Sequence, residues 1–78
     1  MNNTIVVCEY GWILVGKIEN SNSQTTLLNE ASVVRSWSNG KGIGGLAKAE
    51  NKHEYILDEV GTVSIHTSKI LFEIPCEW

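Results

Sequence analysis

A chain of 78 residues with nine acidic and six basic side chains, net charge −3, has room for one domain, and residues 1–78 are read as such. The negative balance argues against nonspecific binding to nucleic acid, which needs a positive field to release counterions. It leaves open a small anionic ligand, which answers to a local basic pocket rather than to net charge.

The chain in order reads as short strands separated by turns. Thr4–Tyr10 (TIVVCEY) is β-branched and apolar, a strand pattern that Gly11 interrupts. Trp12–Glu19 (WILVGKIE) follows, with Trp12, Leu14, Gly16 and Ile18 on one face and Ile13 and Val15 on the other. A glycine inside a strand marks a bulge or bend, so Gly16 is expected to bend this one. Asn20–Gln24 is a polar hairpin loop. Thr25–Leu28 and Ala31–Trp37 make a third strand region, kinked at Asn29–Glu30. Ile43, Leu46 and Ala47 share one face of a short helix, for which Ser38 or Asn39 is the expected cap. Glu50–Tyr55 reads as a loop into Ile56 and Leu57, and Asp58–Gly61 as a turn. Thr62–His66 is a strand with Val63 and Ile65 inward, and Thr67–Ser68 a break. In the last strand, Lys69–Cys76, Ile70, Phe72 and Ile74 are expected on one core face and Leu71 on the other. Pro75 has no N–H for a ladder, so that strand ends there or lies at an edge.

The expectation is a mainly β protein with one short helix: a small, strongly bent antiparallel sheet, or an SH3-like barrel, of five or six strands. An open sheet with the helix packed on one face is the alternative.

Chemistry concentrates in Ala31–Ala49. Strict alternation puts Val33, Arg35 and Trp37 on one strand face. A glycine-rich turn carrying Asn39, Lys41, Gly42 and Gly44 follows. These six polar, aromatic and glycine positions, Arg35, Trp37, Asn39, Lys41, Gly42 and Gly44, form the candidate ligand-binding set. The indole would stack a base or ring, the cations would meet a phosphate, and the turn's N–H groups would cradle it. The plain alternatives are an indole packed in a core beside an arginine stem, and glycines that serve backbone geometry. NGKGIGG is neither a Walker loop nor a dinucleotide fingerprint.

Cys8, Cys76, His53 and His66 lack metal-ligand spacing, so neither a metal nor another cofactor is expected. Cys8 and Cys76 lie in the first and last strands, which could be neighbours, but reduced thiols are expected in a cytoplasmic protein. No apolar run has the length of a membrane span, and no basic segment leads into one, so no membrane partner or secretion signal is expected. None of Ser36, Ser38, Ser64 or Ser68 falls in a motif that places it beside a His–carboxylate pair. The chain is therefore expected not to be an enzyme, with no catalytic residue assigned.

Two resemblances add to this. GWILVGKIENSNSQTTLLNEASVV resembles the second to fourth strands of SH3-like and Sm-like barrels, in which a bent, glycine-containing strand crosses a polar loop into an apolar strand. Asn29 and Ala31, Trp37, Leu46–Ala47 and SKILFEIPC at Ser68–Cys76 are together similar to a family of small uncharacterised phage and prophage proteins. This chain departs from that pattern in having Arg35 where an aromatic is common, and more glycine after Trp37. The resemblance carries no established activity. It implies a phage accessory protein in the host cytoplasm, acting against host defence. On that footing the first expectation is a binding protein that sequesters a nucleotide-like immune signal. The alternatives are an inhibitor of a host defence enzyme, working through the acidic surface of Glu9, Glu19, Glu50, Glu54, Glu59 and Glu73, and an Sm-like RNA-binding module. A homo-oligomer, most simply a dimer, is expected because Ile13, Val15, Trp12, Trp37, Leu71 and Trp78 ask for more cover than one small sheet gives.

Overall fold

The computed structural model describes residues 2–78. Five strands, β1 (Thr4–Cys8), β2 (Ile13–Ser21), β3 (Thr25–Trp37), β4 (Tyr55–His66) and β5 (Ile70–Pro75), form one antiparallel sheet in the order β4-β3-β2-β1-β5. The sheet is open, with β4 and β5 as its two edges, so the barrel alternative is not realised. The expected helix is a 3₁₀ turn, Ile43–Ala47, and a second 3₁₀ turn, Ala49–Glu54, follows it. Gly42, Gly44 and Gly45 explain the short form, because glycine disfavours a continued α-helix. No side chain caps either turn; Asn39 instead accepts the Lys41 N–H through its own Oδ1. The polar residues expected as a loop form the second turn, and β4 starts at Tyr55. No helix among the described residues is long and apolar enough to cross a membrane.

Both faces of the sheet are buried, in two separate cores. Ile5, Val15, Val34, Leu46, Ala47, Tyr55 and Cys76 make the first. Val6, Cys8, Leu14, Leu28, Ala31 and Ile65 make the second. Ile5 and Val6 are adjacent and fully enclosed, which is why β1 reads as a continuous apolar run. The two 3₁₀ turns and the segment around Trp78 cover the first face. The outer halves of β2, β3 and β4, which carry Ile18, Leu28, Val63 and Ile65, bend over the second.

The bends sit where glycine and polar residues interrupt the strands. The β2–β3 register shifts between Val15 and Lys17, across Gly16. Opposite, β3 kinks at Glu30, which has φ 49°, and its register with β4 shifts between Leu28 and Ala31. Asp58–Gly61, expected as a turn, lies within β4 instead: Asp58 and Glu59 pair with Val33 and Ser32, and Val60 is the extra residue before Gly61, at φ 84°. Turn-type residues here serve a bulge. At the far end Thr26, fully buried, shares hydroxyl contacts of 2.8 Å with both Ser21 and Thr67. The β2–β3 loop is tighter than expected, closed by Asn22 Oδ1, which accepts the N–H groups of Gln24 and Thr25.

Two further bulges change which face a residue meets. In β5, Ile70 pairs with Cys8 and Phe72 with Val7, so Leu71 is skipped. Ile70 therefore packs on the second core and Ile74 on the first, and Phe72 is half exposed. The expected common face of Ile70, Phe72 and Ile74 is thus divided. The same ladder makes β1 and β5 neighbours yet leaves Cys8 and Cys76 in opposite cores, both free.

Candidate functional site

The second face-changing bulge falls within the expected site. Val34 pairs with Leu57 and Ser36 with Ile56, so Arg35 is the extra residue. Trp37 consequently shares the face of Val34, half-buried on the first core with its ring centroid 5.6 Å from that of Tyr55. Arg35 turns to Asp58, which lies opposite Val33 of the second core. Its Nε and Nη2 donate to Asp58 Oδ2 and Oδ1 at 3.0 and 2.8 Å, a fork-on-carboxylate pair. The strict alternation expected of Val33, Arg35 and Trp37 does not hold, and the guanidinium and indole do not face one ligand.

The glycine-rich loop is tied down by its own side chains. Lys41 Nζ donates to Asn51 Oδ1 at 2.8 Å and to Glu54 Oε1 at 3.0 Å, and Asn39 Nδ2 donates to the same Glu54 oxygen at 2.8 Å. The hydrogen bonds from Lys41 and Asn39 hold the Glu54 carboxyl below the usual carboxylate range. The Tyr55 hydroxyl donates to the Gly42 carbonyl, and Gly45 lies so close under Tyr55 that a Cβ would approach its hydroxyl to 2.5 Å. Gly44 borders open space. Asn39, Lys41 and Gly42 are thus brought together, facing Glu54 and Tyr55 rather than an open pocket. Both cations of the expected set have a carboxylate partner. Because the Arg35–Asp58 pair is exposed, Arg35→Ala is expected to change stability by no more than about 1 kcal/mol in urea denaturation.

A different place on the first face is open. A cavity of about 630 Å³ lies between β2, β3 and the segment around Trp78, lined among others by Asn3, Lys17, Ser32, Lys52, Glu59 and Trp78. Lys52 Nζ sits 4.4 Å from the Trp78 ring centroid. Lys17, Arg35, Lys41, Lys48 and Lys69 all pair with carboxylates. Among the described residues, Lys52 is the one Lys or Arg side chain without such a partner. The indole is fixed: its Nε1 donates to the Leu46 carbonyl at 2.8 Å, and the Asn3 backbone and side-chain N–H groups both donate to the main-chain oxygen of Trp78. Sequence reasoning missed this pair because Lys52 and Trp78 share no motif and meet only through the fold.

A second cavity, of about 510 Å³, opens on the other face and is almost wholly apolar, with Trp12, Leu14, Val33, Val60 and Val63 in its wall. Burial pushes both the Cys8 and Cys76 thiols up, away from the thiolate a nucleophile needs. No three His, Cys, Asp or Glu side chains among the described residues are grouped so as to hold a metal ion. The fold and these two cavities define a small all-β, antiparallel-sheet domain. No family model, no curated protein and no solved structure matches the chain.

Proposed function

We propose that this is a non-enzymatic binding protein that takes up a small nucleotide-like anion in the cavity beside Trp78. The observation that carries the reading is Lys52, a cation without a carboxylate partner, held over an indole that is itself fixed by hydrogen bonds. A phosphate has the Lys52 ammonium, and a planar base or ring would take that ammonium's place on the indole face as Lys52 moves to the phosphate. Ser32 and Asn3 offer polar contacts at the wall, and the volume is that of a small-ligand site. Lys17 is already paired with Glu30, and Glu59 also lines the cavity. That balance favours a ligand of low charge, a monophosphate or cyclic phosphate, over a polyphosphate. The resemblance to small phage proteins supplies the proposed setting, sequestration of a nucleotide signal of host defence, which needs no catalytic group.

Thermal shift against a panel of cyclic and linear nucleotides tests this. A ligand at a hundredfold excess over its Kd is expected to stabilise the protein by about 2.7 kcal/mol. Lys52→Ala is expected to weaken binding by about 1.5–3 kcal/mol, the range for a charged hydrogen bond, while Arg35→Ala leaves it unchanged. A panel in which no nucleotide raises the melting temperature overturns the reading.

A further inference from the structure

The cavity beside Trp78 is lined by an unpaired carboxylate as well as by the unpaired Lys52 ammonium. The ion pairs among the described residues engage Glu9, Glu30, Glu54, Asp58 and Glu77, and none engages Glu59. Lys52 and Glu59 line the same cavity without pairing with each other.

The sheet register fixes where Glu59 stands. Val15 pairs with Ser32 and Ser32 with Glu59, one row across β2, β3 and β4. Directly paired residues share a face, and Val15 belongs to the first core. Leu57, two residues before Glu59 on β4, packs on the same core. Ser32 and Glu59 are thus the polar continuation of an apolar row, with Cβ atoms about 4.5–5.5 Å apart as in any directly opposed pair. Trp78 bounds the cavity from the other side. Its main-chain oxygen is held by Asn3, just ahead of β1, and β2 and β3 lie between β1 and β4.

We propose that Ser32 and Glu59 read the base of the bound nucleotide and select guanine. The proposal rests on the nucleotide reading of this cavity and adds the identity of the base. An ionised carboxylate accepts hydrogen bonds and donates none. Guanine alone among the common bases presents two adjacent donors on its Watson–Crick edge, N1–H and the N2 amine, which match the two oxygens of a carboxylate. Beside them its O6 accepts, and the neighbouring Ser32 hydroxyl donates. Adenine and cytosine each set a ring-nitrogen acceptor next to a single amine, and uracil flanks its one N–H with two carbonyls. Each of those edges turns lone pairs toward the Glu59 carboxylate. The same negative charge repels a phosphate, which leaves the phosphate to Lys52 and fixes the direction of the ligand in the cavity.

Isothermal titration calorimetry of the full chain with guanosine, inosine and adenosine monophosphate tests this, alongside Glu59→Gln. Glu59 is exposed, and circular dichroism checks the variant's fold. Inosine lacks the N2 amine, and adenosine has an acceptor where guanosine has N1–H. Guanosine monophosphate is expected to bind tightest, by about tenfold or more over inosine monophosphate, as for one hydrogen bond to a charged group, and by more over adenosine monophosphate. In Glu59→Gln, guanosine monophosphate is expected to lose about tenfold or more. Adenosine monophosphate should lose nothing, because a carboxamide offers the donor and acceptor that adenine's edge requires. Equal affinity for the three nucleotides overturns the base assignment and leaves the ligand reading standing. A Glu59→Gln variant that binds all three more tightly overturns it too, since Glu59 then acts only by repelling phosphate. Binding of none of the three overturns the ligand reading and the base assignment together.

Discussion

Gly16→Ala is expected to destabilise the protein by about 3 kcal/mol, the upper part of the range for overpacking, and so to lower its melting temperature by roughly 12–24 °C for a domain of this size. The sign opposes backbone propensity, since alanine in a strand interior is normally better than glycine by about 0.5–1 kcal/mol. Space decides the matter here. A Cβ at Gly16 would lie 2.9 Å from Ala31 Cα, the Asn29 carbonyl oxygen and Leu28 Cγ. Two of those atoms are backbone at the β3 kink, and Leu28 is fully buried in the second core. Relief would require the two bent strands to separate where the sheet folds over its second face. A calorimetric melt that is unchanged or raised would show that β3 does not approach β2 this closely.

Leu46→Ala is expected to cost about 2–5 kcal/mol, the range for emptying a fully enclosed leucine site. Leu46 has no exposed surface and joins the 3₁₀ turn to the first core. Its carbonyl also accepts the Trp78 indole N–H, so the loss reaches the wall of the proposed ligand cavity. The urea midpoint should fall with the slope nearly unchanged. Phe72→Ala is the control. Phe72 is 51% exposed on an edge strand, and a surface change of that kind stays near 0.5 kcal/mol. Equal losses at the two positions would contradict the observed faces of β5.

The contrast between Leu46 and Phe72 shows what could be read in the chain and what could not. Strand existence and the bends were legible, because a glycine within WILVGKIE and the polar Asn29–Glu30 between apolar runs each break a period of two. Leu46 and Ala47 were legible as buried for the same reason of spacing, although three glycines shortened the expected helix to a 3₁₀ turn. Single-residue bulges at Arg35 and Leu71 left no mark. Neither residue is a glycine or proline, yet each inverts the alternation beyond it. That inversion separates Arg35 from Trp37 and Ile70 from Ile74. The bulge at Val60 was misread through Gly61 as a turn. The Lys52–Trp78 contact is set by tertiary packing alone, and local pattern holds no trace of it.

The binding proposal, with its placement of the ligand beside Trp78 rather than at the glycine-rich loop, is tested most directly by nuclear magnetic resonance. Amide and indole N–H signals of the labelled chain would be followed during titration with a nucleoside monophosphate and a cyclic nucleotide. The account predicts saturable shifts at Ser32, Lys52, Leu57 and the Trp78 indole, with Asn39–Gly44 unmoved. Shifts confined to Asn39–Gly44, or no saturable shift with either ligand, would contradict it.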